Sequence, residues 1–134
     1  MFSEYENLKG HSLLIVESMY VAGVIHSKCF NSQMRLIDFK EDVPKNLTQY
    51  LSDKDIDVAL IHTARLSDKG EILDAHHNGK RIVVIKRDPP ASYEEVDMYK
   101  CFEEEGIVTI PKCLNIAEKS VILLSKILQE KQTD

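Results

Sequence analysis

The feature that most constrains this chain is its regular alternation of two kinds of segment. Five short runs rich in Val, Ile and Leu lie at residues 12–16, 34–39, 57–61, 81–85 and 107–110. They are close to continuously apolar, the pattern of strands covered on both faces rather than on one. Between and after them come stretches with helical spacing. Parallel strands need crossover helices, and such crossovers are right-handed. The predicted architecture is therefore α/β, a three-layer doubly wound sheet of five parallel strands with five helices.

The helix boundaries carry local signals. Asp42 and Pro44 suit the start of a helix running through Leu47 and Leu51. Ser92 with Glu95, and Asn115 with Glu118, have the spacing of a capping residue and its return partner. Gly79 and Gly106 each stand between a helix pattern and the next strand, where a left-handed residue commonly ends a helix. Pro89 and Pro90 break the chain after the fourth strand.

The length of 134 residues suits one domain over residues 1–134, with its core over about 11–130. Nothing remains for a second domain, and there is no repeat or low-complexity tract. The net charge of −5 argues against a surface that tracks nucleic-acid phosphates, which needs a basic stripe. The longest apolar run, residues 121–124, is far short of a membrane span. The opening residues 1–10 are polar and acidic, unlike a signal peptide. Cys29, Cys101 and Cys113 form no CxxC pair and read as buried or free thiols in a reducing, cytoplasmic setting.

In doubly wound sheets ligands and chemistry gather beyond the carboxyl ends of the strands. Here those ends carry Glu17 and Ser18, His62 and Thr63, Lys86 with Arg87 and Asp88, and Pro111 with Lys112. Taken with the order of elements, these residues give the chain a resemblance to the receiver domains of bacterial response regulators. The resemblance spans residues 12–128. The segment DVALIHTARLSDKG (57–70) is similar to the receiver's third strand and following loop, and it puts His62 where the family has its phosphoacceptor aspartate. LLIVES (13–18) resembles the first strand but supplies only Glu17 of two acids. Lys112 in IPKC matches the family's lysine, with Cys113 in place of the usual proline. Lys86 stands where the family has serine or threonine, and Thr109 near its switch aromatic.

The resemblance implies a flavodoxin-like fold with strand order 2-1-3-4-5. It also implies a pocket that has lost its reaction. Aspartyl phosphorylation needs a carboxylate nucleophile and Mg²⁺ held by oxygen ligands, and imidazole is a poor substitute ligand for Mg²⁺. Glu17, Ser18, His62, Lys86 and Lys112 are thus read as a vestigial phosphorylation pocket, with Glu17 and Lys112 pairing. No catalytic residue, metal site or cofactor is assigned.

The remaining histidines and loops do not alter that reading. His76 and His77 are adjacent, without the i, i+4 spacing that puts two ligands on one helix face. Gly23 stands alone after the first strand and makes no GxGxxG loop.

The last two helices carry more apolar residues than one narrow stripe needs. Ile116, Leu123, Leu124 and Ile127 form the core stripe of the final helix, Val121 widens it, and Ile122 lies on the far side. Tyr93, Met98, Tyr99 and Phe102 do the same on the fourth helix. In receivers the fourth helix, fifth strand and fifth helix form a dimer face. The resemblance therefore implies an interaction surface at Tyr93, Met98, Tyr99, Phe102, Val121 and Ile122, for a protein partner or a homodimer. The expected function is a phosphorylation-independent signalling or dimerisation module, without enzymatic activity and without binding to nucleic acid or membrane. The alternative is a flavodoxin-like domain that binds a small ligand at the same strand edge. An enzyme is the third reading, for which the sequence offers no nucleophile motif.

Overall fold

The structure, a computed structural model, describes residues 6–30 and 33–133. The opening segment read as polar lies outside the described residues over positions 1–5.

Five parallel strands form one sheet in the order β2-β1-β3-β4-β5. They are β1 (Ser12–Val16), β2 (Leu36–Lys40), β3 (Val58–Thr63), β4 (Ile82–Lys86) and β5 (Val108–Pro111). The helices are α1 (Met19–Phe30), α2 (Leu47–Asp53), α3 (Lys69–His77), α4 (Tyr93–Glu104) and α5 (Ile116–Thr133). This is the flavodoxin-like three-layer α/β fold. No helix among the described residues is long and apolar enough to cross a membrane.

The two faces of the sheet bury two separate cores, divided by strand alternation. Leu13, Ile15, Val58, Leu60, Val83 and Ile85 point to the side covered by α1 and α5. Leu14, Val16, Ala59, Ile61, Ile82 and Val84 point to the side of α2, α3 and α4. All of these strand residues are buried, which is why their runs lack polar alternation.

β1 matches the sequence reading, and the ends of the other four strands differ from it by one or two residues. The extension of β3 has consequences, because His62 and Thr63 pair with Ile85 and Lys86 of β4 and belong to the strand itself. The second helix starts at Leu47, later than Asp42 and Pro44 implied. Its first N–H groups are satisfied from a distance: Glu71 of α3 accepts from Asn46 N at 3.0 Å and from Leu47 N at 3.0 Å. Ser92 does cap α4, accepting from Glu95 N at 3.2 Å. Just before α5, Asn115 Oδ1 accepts from Cys113 Sγ at 3.2 Å.

Four of the residues read as an interaction surface are buried, and that part of the reading is corrected. Met98, Tyr99 and Phe102 share with Glu95 the inner stripe of α4, at i, i+3, i+4 and i+7, and pack into the core. Val121 lies on the inner stripe of α5 with Ala117, Leu124 and Leu128. Tyr93 is 86% exposed and Ile122 is half-buried. The three cysteines are free, and burial pushes the Cys29 thiol up to about 11.

Candidate functional site

Three side chains meet at the carboxyl edge of the sheet. Glu17 is 2% exposed, and its Oε1 lies 3.2 Å from His62 Nδ1 and 3.2 Å from Lys112 Nζ. The same oxygen accepts the Ser18 N–H at 2.8 Å. The convergence follows from strand parity. Glu17 continues the alternation of Leu13 and Ile15, His62 that of Val58 and Leu60, and Lys112 that of the half-buried Ile110. All three positions therefore fall on the α1/α5 side of the sheet.

Lys86 has the opposite parity and leaves the cluster. It follows Ile82 and Val84 and donates to Glu103 Oε2 at 3.2 Å. Thr109 also donates to that oxygen, at 2.7 Å. Lys86 is thus part of an α4–β4–β5 surface contact rather than of the Glu17 site. Ser18 contributes its backbone N–H, while its hydroxyl lies 3.5 Å from Val21 N at the start of α1.

The electrostatics of the cluster favour an ionised Glu17. Burial alone would raise its pKa. The His62 hydrogen bond, the Ser18 N–H and the charges of His62 and Lys112 outweigh burial and hold it below the ordinary carboxylate value. One oxygen receives all of these donors. Glu17 Oε2 and His62 Nε2 are both buried and have no hydrogen-bond partner among the described residues.

A cavity of about 500 Å³ opens beside the cluster, with His62 and Lys112 on its wall. Four of its other charged residues, Asp42, Arg65, Asp68 and Arg87, have partners that sequence reasoning missed. Arg65 pairs with Asp42 at 2.7 Å, and Arg87 pairs with the buried Glu95 at 3.0 Å. Asp68 accepts from Thr63 Oγ1 at 2.7 Å. Tyr99 ties this rim to α4: its hydroxyl donates to the Thr63 carbonyl at 2.6 Å and accepts from Arg87 N at 3.0 Å. Glu95 was legible only as a capping partner, and Tyr99 only as part of an apolar stripe.

The chemistry available here is restricted. A carboxylate holding an imidazole by Nδ1 is the arrangement that orients a general base, but among the described residues no hydroxyl or thiol is hydrogen-bonded to Nε2. The lone acid of the cluster already takes three donors on one oxygen. Among the described residues, no three His, Cys, Asp or Glu side chains are grouped so as to hold a metal ion. In comparisons with family models, curated proteins and solved structures, nothing matches this chain.

Proposed function

We propose that this chain is a receiver-like signalling domain that works without phosphorylation, as a cytoplasmic protein-interaction module of a bacterial regulatory system. The observation that carries the proposal is the Glu17–His62–Lys112 cluster. It occupies the strand edge where a receiver has its acids, phosphoacceptor and lysine, and it satisfies Lys112 internally. An ion pair already closed within the fold leaves Lys112 no phosphoryl group to wait for. The fold, with its 2-1-3-4-5 order, supports the same reading. The surface offered to a partner would then be fixed, with Tyr93 and the exposed Val96 of α4 as its apolar contacts.

Incubation with acetyl phosphate, or with beryllofluoride and Mg²⁺, is expected to leave both the mass and the amide NMR spectrum unchanged. A covalent adduct, or Mg²⁺-dependent shifts at Glu17, His62 and Lys112, would overturn the proposal. Partner capture should be weakened by Tyr93→Glu, whose exposed side chain can change without disturbing the core.

The cavity beside the cluster favours a second reading, a small-ligand site. A ligand-dependent rise in Tm that disappears in His62→Ala and Lys112→Ala would select it over the interaction module.

A further inference from the structure

The sheet has two open edges, and they are unlike. β5 ends in Pro111, which has no N–H to offer another strand. β2 contains neither proline nor glycine and, among the described residues, pairs only with β1. Glu17 N donates to the Lys40 carbonyl at 3.2 Å, and with the register from Ser12–Leu36 to Val16–Lys40 this turns the backbone groups of Leu36, Asp38 and Lys40 toward β1. Ladder alternation then turns those of Ile37 and Phe39 outward, where Phe39 N donates to Asp38 Oδ1 at 2.9 Å.

The flank of this edge is apolar. Ile37 and Phe39 are half-buried and, with Met19, Gly23 and His26 of α1, line a cavity of about 180 Å³. Met19 is 69% exposed and Tyr20 is 81% exposed. Val24 is exposed one turn further along the same helix.

The sequence of this edge complements its own reversal. Residues 35–41 read RLIDFKE. An antiparallel two-fold through Asp38 sets Ile37 opposite Phe39 of a second copy, and Phe39 opposite its Ile37, all on the α1 side. Arg35 falls opposite Glu41 at both ends. On the α2 side the two Asp38 residues face each other, each diagonal to Lys40 of the other copy and within reach of its charge. Each Asp38 is also compensated inside its own chain, by Lys54 at 3.8 Å and by the Tyr50 hydroxyl, which donates to it.

We propose that the β2 edge is a self-association surface. A second copy adds its β2 antiparallel to this one, the two sheets become continuous, and the apolar flank formed by β2 and the start of α1 is covered. Charged residues on an edge strand commonly serve to block pairing. Here the charge of Asp38 is turned inward to Tyr50 and Lys54, and Lys40 is the one exposed residue of the strand. This surface is separate from α4 and from the Glu17 cluster, so the proposal does not rest on the receiver reading.

Sedimentation velocity of the full chain over a wide concentration range tests it. The wild type is expected to show a reversible monomer–dimer equilibrium. Lys40→Glu places a carboxylate diagonal to Asp38 of the second copy, and Met19→Glu puts a charge on the apolar flank. Each is expected to raise the dimer Kd by at least about tenfold, with the thermal melt of the monomer unchanged, while Tyr93→Glu leaves the equilibrium as it was. A wild type that stays monomeric throughout would overturn the proposal. So would a dimer that survives both β2-edge variants, or one that Tyr93→Glu dissociates. None of these variants touches the Glu17 cluster, so a phosphoryl adduct and a missing dimer would be separate failures.

Discussion

Glu17 shows how much a single buried carboxylate can organise. Its side chain is removed from water, and the His62 imidazole, the Lys112 ammonium and a backbone N–H converge on Oε1. Taking away one partner leaves the charge buried with less compensation, and in fully buried pairs that loss costs several kcal/mol. The Lys112 side chain is one-third exposed, so water screens part of its contribution. Lys112→Met is therefore expected to cost about 1–3 kcal/mol. Lys86 makes a contact of the same 3.2 Å length with Glu103, whose side chain is 47% exposed. Lys86→Met is expected to cost no more than about 1 kcal/mol, as surface pairs do. Urea unfolding of the two variants checks the contrast. Equal costs would mean that the Glu17 cluster is as well screened as an ordinary surface pair.

At the scale of elements, three helices end in the same way. After α3, Lys80 N donates to the Ala75 carbonyl at 3.0 Å and Gly79 has φ 82°. After α4, Ile107 N donates to Phe102 O at 2.9 Å and Gly106 has φ 88°. After α2, Ile56 N donates to Leu51 O at 2.9 Å, but the left-handed residue is Asp55, with φ 53°. All three are six-to-one closures that satisfy a terminal carbonyl. Gly106→Ala is expected to destabilise by about 1 kcal/mol through backbone strain alone, since an added Cβ would meet nothing within 4 Å. Asp55→Gly should act in the opposite direction by up to about 1 kcal/mol, less whatever its exposed contact with Arg35 contributes. Chemical denaturation of both variants reads the two signs, and a destabilising Asp55→Gly would show that the Arg35 contact outweighs the strain.

The same three ends explain what could be read in advance. Gly79 and Gly106 announce their role, because glycine is the residue that enters this conformation freely. Asp55 does so without a distinguishing signal, and α2 begins on a cap supplied by Glu71 of another helix. Strand alternation is also legible in the sequence. The parity of Glu17, His62 and Lys112 groups them, and the parity of Lys86 removes it. The burial of Met98, Tyr99, Phe102 and Val121 could not be separated from exposure by composition. A wide apolar stripe on a short helix looks the same whether it is covered by a sheet or offered to a partner.

For the whole molecule, acid should separate two properties that net charge alone would join. The chain carries −5 at pH 7 and has a sequence pI near 5.5, so solubility is expected to be lowest around that pH. Stability should still be near its plateau there. Glu17 is held below the ordinary carboxylate value of 4.5 in the folded state, and a group depressed by folding stabilises at every pH above its unfolded value. That contribution is lost only as pH falls from about 4.5 through the lower folded value. Glu103 and Glu105 are lowered in the same direction by their hydrogen bonds to Thr109 and to His77, but on the surface, where salt screens them. Urea midpoints measured from pH 7 down to pH 3 should thus stay level past the solubility minimum and then fall. High salt should remove the surface part of the fall, and Glu17→Gln should flatten what remains. A decline that instead begins between pH 7 and pH 6 would place control of stability with the histidines, and would remove Glu17 as the group that sets the acid limit of this fold.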